Sequence, residues 1–169
     1  VVREKLILFP SRDAMDIEGL GPAVVDSLLA YRLVADAADF YALKEDDLRQ
    51  IERMGEKSAA NLITAIRASK ERGLAKLLFG LGIRFLGEKG SELAAHYFHT
   101  IDAIMAADVE TIEETEGIGK ITAKSLYDYF HDEKNIEMIN KLKNAGVLME
   151  EIKGESESGM FSGESVVLT

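Results

Sequence analysis

Thr115-Glu116-Gly117-Ile118-Gly119-Lys120-Ile121-Thr122-Ala123 is a turn that the chain writes four times. The same pattern recurs at Glu18-Gly19-Leu20-Gly21-Pro22, at Arg53-Met54-Gly55-Glu56-Lys57 and at Phe85-Leu86-Gly87-Glu88-Lys89. Taking the last glycine as anchor, Gly21, Gly55, Gly87 and Gly119 are separated by 34, 32 and 32 residues. An apolar residue precedes each anchor (Leu20, Met54, Leu86, Ile118), and a small or β-branched one follows four places later (Val25, Ala59, Ser91, Ala123). Matched positions at a fixed period mark an internal repeat, which decides the architecture before any single element is considered.

Each copy reads as a helix running into a tight hairpin from which a second helix leaves. The anchor glycine is expected to supply positive φ and a close backbone approach, and the outgoing helix offers unpaired amides and the positive end of its dipole. Such a turn suits an anion, above all a phosphate. The plainer reading is a connector between packed helices, with glycine as an ordinary cap. Four copies at near-constant spacing favour a module that tracks a phosphate backbone.

Working outward, Pro10 should break a helix begun over Arg3 to Phe9. Pro22 suits the first position of a helix carrying Val24, Val25, Leu28 and Leu29 on one face. Asp36 caps a short helix through Phe40 and Tyr41, and Leu48 and Ile51 lead into the second hairpin. Glu56 to Arg72 is predicted as the longest helix, with Gly73 ending it. Leu74 to Leu81, Glu88 to Phe98, Ile101 to Met105, Val109 to Glu114 and Lys120 to Phe130 follow, Thr100 and Asp108 serving as caps. Asp132 caps a last helix through Lys143, closed by Gly146. Nothing from residue 14 to 146 alternates with period two. The expectation is all-α: four tandem hairpin motifs in one compact helical domain, with a flexible C-terminal tail.

Composition bounds the function. At 169 residues the chain is one domain or two small ones, and it has no cysteine for disulfides or thiolate metal sites. Its longest early apolar run, Leu6 to Phe9, is far short of a membrane span, so no membrane partner and a cytoplasmic location are expected. The net charge of −10 opposes a grip on nucleic acid that rests on electrostatics alone. A phosphate-binding reading therefore needs Arg53, Lys57, Arg84, Lys89, Lys120 and Lys124 gathered beside the hairpins, although Glu18, Glu52, Glu56, Glu88 and Glu116 lie near them too. His96, His99 and His131 lack ligand spacing and read as structural or solvated. Glu113, Glu114 and Glu116 read as a solvated helix end, and Tyr127, Tyr129 and Phe130 as core. Residues 150–169 are polar and Ser/Gly-rich like a linker, ending in the strand-like Val166-Val167-Leu168-Thr169.

Four stretches together carry a resemblance: Arg12-Asp13-Ala14-Met15-Asp16-Ile17-Glu18-Gly19-Leu20-Gly21, Glu52-Arg53-Met54-Gly55-Glu56-Lys57-Ser58-Ala59, Leu81-Gly82-Ile83-Arg84 and Glu116-Gly117-Ile118-Gly119. In order and spacing the chain resembles the helix-hairpin-helix domain of bacterial NAD-dependent DNA ligase. The resemblance implies that residues 1–14 are a lead-in after the family's zinc finger, that 15–149 are the helix-hairpin-helix domain, and that 150–169 are a linker and the first part of a BRCT domain from Gly163. It implies a monomer that binds nicked duplex DNA without sequence preference, through phosphates and across the minor groove, together with the remaining ligase domains, in replication and repair. The implied contacts are Gly19, Leu20, Gly21, Arg53, Gly55, Lys57, Arg84, Gly87, Lys89, Gly117, Ile118, Gly119, Lys120 and Lys124. NAD, magnesium and zinc are implied for the full-length enzyme and no cofactor for this stretch, which lacks the family's Lys-x-Asp-Gly adenylation motif and is not expected to be catalytic alone. Arg53 and Phe85 depart from the family pattern by replacing the first glycine of their hairpins. The competing function is a protein-interaction module of the same fold without direct DNA contact.

Overall fold

Helix starts fall where a cap or a hairpin glycine meets an apolar periodic run. A computed structural model describes residues 2–152, whose elements in order are α1 (Val2–Leu8), α2 (Pro22–Ala30), a 3-10 helix (Ala37–Ala42), α3 (Glu45–Arg49), α4 (Glu56–Ser69), α5 (Leu74–Gly80), α6 (Glu88–Phe98), α7 (Ile101–Ala106), α8 (Val109–Glu113), α9 (Lys120–Phe130) and α10 (Glu133–Asn144). The described residues contain no named strand, only an isolated antiparallel bridge between Thr100 and Glu150. The fold is all-α, as the periodicity predicts. The expected linker and strand over 153–169 lie outside the described residues.

Four local expectations need adjustment. The first hairpin is entered by a series of turns rather than a helix, with Ser11, Met15 and Ile17 amides bonding the carbonyls of Leu8, Phe9 and Pro10. Pro10 has no N–H to continue α1, so the chain folds back instead. The approach to the second hairpin is a helix of its own, α3, whose first turn holds Asp47 close enough to accept from the Lys44 amide at 3.0 Å. The longest helix stops at Ser69 rather than Arg72, because the Arg72 guanidinium turns back to donate to the Ala14 and Arg12 carbonyls.

The fourth adjustment concerns both ends of the domain. Residues 2–14 are more than a lead-in, since Leu6, Phe9, Ala14 and Met15 are buried and Phe9 lies 6.1 Å from the rings of Phe40 and Tyr41. At the other end, Glu150 to Ile152 were expected to begin the linker, yet they are tied into the helices. The Leu148 amide donates to Lys70, Ile101 to Met149, Leu74 to Glu150 and Glu151 to His99, all within 3.0 Å. Residues 148–151 thus form a strap between the α4–α5 and α6–α7 connections, with Val147 and Met149 buried beneath. Glu151 also accepts from His96 and His99 at 3.0 and 3.1 Å, which gives those two histidines a structural role.

One continuous apolar core runs from Leu6 to Met149. The residues four places after the anchors (Val25, Ala59, Ser91, Ala123) are all fully buried, and their size lets each outgoing helix lie close to the preceding turn. Tyr127, Tyr129 and Phe130 all pack against the core as expected, and Tyr127 also stacks on His131 at 3.9 Å between centroids.

Candidate nucleic-acid interface

The four hairpins share one backbone geometry. In each, the amide of the residue before the anchor bonds the carbonyl three residues back: Leu20 to Ile17, Met54 to Ile51, Leu86 to Ile83 and Ile118 to Thr115. Each anchor carbonyl in turn accepts from the amide four places on, in Val25, Ala59, Ser91 and Ala123. Leu20 and Ile118, named among the implied contacts, have their amides bonded inside the turn and their side chains buried.

Positive φ does not fall on the anchors. Gly21, Gly55, Gly87 and Gly119 have φ of −90, −80, −90 and −85°, which any residue adopts. The left-handed position is two residues earlier, at Gly19 (+92°), Arg53 (+73°), Phe85 (+68°) and Gly117 (+89°). The turn reverses there, so that residue carries the conformational demand, and Arg53 and Phe85 meet it at a cost of about 1–2 kcal/mol each. All four turns therefore have the same shape despite the two departures from glycine.

The anchors are glycine for a reason that the fold does not supply. A Cβ at Gly21, Gly55, Gly87 or Gly119 would meet nothing within 4 Å. Each anchor is also the N-cap of its outgoing helix and makes no side-chain cap bond. Side chains cap four other helices, from Asp36, Thr100, Asp108 and Asp132, whereas α3 and α5 start at Lys44 and Gly73 without such a bond. The anchor amides have no hydrogen-bond partner among the described residues. Four open helix starts, each with orphan donors and no side chain over them, form a surface ready for anions.

The hairpins associate in two pairs. Gly19 of the first sits 3.7 Å, measured from an ideal Cβ, from Leu62 on the helix leaving the second, and Glu18, Gly19, Arg53, Met54, Ser58 and Asn61 line one cleft. Gly117 of the fourth faces Leu93 on the helix leaving the third. In return α9 supports the third hairpin, with the Thr122 hydroxyl donating to the Phe85 carbonyl at 3.3 Å and the Ser125 hydroxyl to that of Arg84.

Charge differs between the pairs. Arg53 and Lys57 of the first pair are exposed but stand among Glu18, Glu52 and Glu56. The second pair carries Arg84, Lys89, Lys120 and Lys124 with the exposed Glu116, and of its other acids Glu88 pairs with Lys76 at 3.7 Å and Asp128 with Lys124 at 2.9 Å. Arg53, Lys57, Arg84, Lys89 and Lys120 have no carboxylate partner among the described residues, whereas Arg3, Lys141 and Lys143 are each paired away from the hairpins. Position three before the anchor is Glu18, Glu52, Arg84 and Glu116, so the third hairpin alone carries a cation there. No group of three or more His, Cys, Asp or Glu suited to a metal occurs among the described residues.

Sequence comparison agrees with the repeat. Residues 11–68 match a family model described as a SAM-like helix-hairpin-helix tandem, and residues 76–139 one described as a helix-hairpin-helix motif. The DNA ligase of Thermoanaerobacter pseudethanolicus is 48% identical over 164 residues, which is 97% of this chain and 25% of that protein. The DNA ligases of Desulfitobacterium hafniense and Clostridioides difficile are 46% and 43% identical over 167 and 170 residues, 99% of this chain and 25% of each relative. The chain thus spans about a quarter of the length of these curated relatives. One matched tandem and one matched motif, with an alignment along nearly every residue, show that the chain carries helix-hairpin-helix motifs and matches a fragment of the bacterial DNA ligases.

Proposed function

We propose that the chain is the duplex-DNA-binding module of an NAD-dependent DNA ligase, helping the full enzyme to encircle nicked DNA during nick sealing in replication and repair. The observation that carries this reading is the set of open anchors at Gly21, Gly55, Gly87 and Gly119, where glycine is demanded by neither φ nor internal packing. A phosphate can approach such a backbone to hydrogen-bond distance, and the helix dipole favours its charge. Arg53, Lys57, Arg84, Lys89, Lys120 and Lys124 add charge beside those amides without addressing bases, so binding is independent of sequence. Adenylate chemistry with NAD and magnesium, and the zinc site, belong to other parts of the ligase. The module acts as a monomer in the cytoplasm.

Fluorescence anisotropy with several unrelated nicked duplexes tests the reading. Roughly four to six phosphate contacts should give similar affinities and a slope of log affinity against log salt of roughly −4 to −5. The net charge of −10 favours the second reading, a protein-interaction module. Absence of duplex binding at low salt would establish that alternative in place of ours.

A further inference from the structure

The left-handed position of the third hairpin holds a phenylalanine, and its side chain points into solvent. Phe85 has φ +68° and is 60% exposed; Ile121, at the start of α9, is 68% exposed. Both line the same surface cleft with Arg84, Lys120 and Lys124, and with Asp132 and Asp128, the latter paired with Lys124 at 2.9 Å. The fold has no use for an aromatic ring at this place, because the first and fourth hairpins make the same turn with glycine. It instead invests in holding the strained residue: α9 hydroxyls bond the Phe85 and Arg84 carbonyls, and the Arg84 guanidinium lies 4.9 Å from the Phe85 ring centre. Backbone strain fixed in this way, at an exposed apolar residue beside Arg84 and Lys120, is a mark of a contact made with something outside the chain.

Resting on the DNA-binding reading above, we infer that Phe85 and Ile121 form an apolar wedge that enters the minor groove of duplex DNA and loosens a base step there. The occupant follows from charge and shape together. Arg84 and Lys120, which have no carboxylate partner among the described residues, complement phosphates, while the ring and the isoleucine in the same cleft complement the sugar faces and base edges that lie between phosphate rows. Apolar side chains used this way from the minor groove partly unstack a step and bend the duplex. The second hairpin, with Arg53 at the same backbone position, presents charge instead, so the two pairs differ in kind: the first touches phosphates and the second also reaches the groove.

Phe85→Gly is the decisive variant, since it removes the ring and relieves the strained conformation at once. Using the whole 169-residue chain and a fluorescein-labelled nicked duplex, this variant should melt no lower than the parent yet bind roughly tenfold more weakly, the scale of lost burial of part of a phenyl ring. Its salt slope should equal the parent's, because no charge is removed. Ile121→Ser should weaken binding in the same way, and Phe85→Leu should retain most of it. A duplex with 2-aminopurine near the nick should brighten with the parent and not with Phe85→Gly. If Phe85→Gly binds and brightens as the parent does while Gly119→Ser weakens binding, the wedge is refuted and hairpin binding stands. If the parent itself fails to bind duplex, the wedge and the DNA-binding reading fall together.

Discussion

A Cβ built on Gly117 would lie 2.6 Å from Cδ1 of Leu93, in a turn whose φ there is +89°. Two residues on, Gly119 has φ −85° and open space where its Cβ would be. The two glycines of one hairpin therefore serve different partners, the first the neighbouring helix and the second whatever approaches from solvent. Gly117→Ala should lower stability by about 1–2 kcal/mol, through the left-handed backbone and a displaced Leu93. Gly119→Ser adds a helix cap, so it should raise stability by a few tenths of a kcal/mol while weakening DNA binding several-fold. Chemical denaturation and anisotropy on the same samples check this opposition. Equal effects of the two substitutions on stability would remove the distinction.

The hairpin lysines should act through charge alone. Lys89→Ala is expected to weaken binding evenly across unrelated duplexes and to reduce the magnitude of the salt slope by about one unit. Lys141 is engaged with Asp36 at 3.0 Å and Asp39 at 3.7 Å, away from the hairpins. Lys141→Ala should leave the slope unchanged, and a matching change in both variants would mean a diffuse charge effect rather than a contact.

Thr115 occupies a position that is Ile17, Ile51 and Ile83 in the other three copies. It is 3% exposed and its hydroxyl has no hydrogen-bond partner among the described residues. A buried donor without a partner costs about 1–3 kcal/mol, so Thr115→Val should stabilise the protein by an amount on the order of 1 kcal/mol. A thermal melt lower than the parent's would show that the hydroxyl is satisfied in solution.

Alkaline stability should report on Tyr41. Burial, offset in part by its 2.8 Å bond with Ser69, pushes the phenol up from its ordinary value to about 12. The folded state thus favours the neutral phenol: its contribution is complete below pH of about 10 and is lost as pH rises through 12. The melting temperature should fall across that window, and less steeply in Tyr41→Phe. Burial likewise raises Tyr129, so the ultraviolet titration should contain two late tyrosines.

How much was legible follows from the range of each interaction. The sequence by itself determined the repeat, the helical class, the starts at Pro22, Ile101 and Val109 and the anchors, because caps, apolar period and turn residues act over a few neighbours. The candidate cations were legible for the same reason, as their offsets from each anchor are local. Tertiary structure alone decided that Gly19 meets Leu62 and Gly117 meets Leu93, hence that the hairpins pair, that Arg84 and Phe85 are held by Ser125 and Thr122, and that Arg84, Lys120 and Lys124 line one cleft. It also placed Glu150 and Glu151 in a strap. Those contacts join residues tens of positions apart, and the strap is held largely by backbone amides and carbonyls, which every residue type carries and which leave no mark in the sequence.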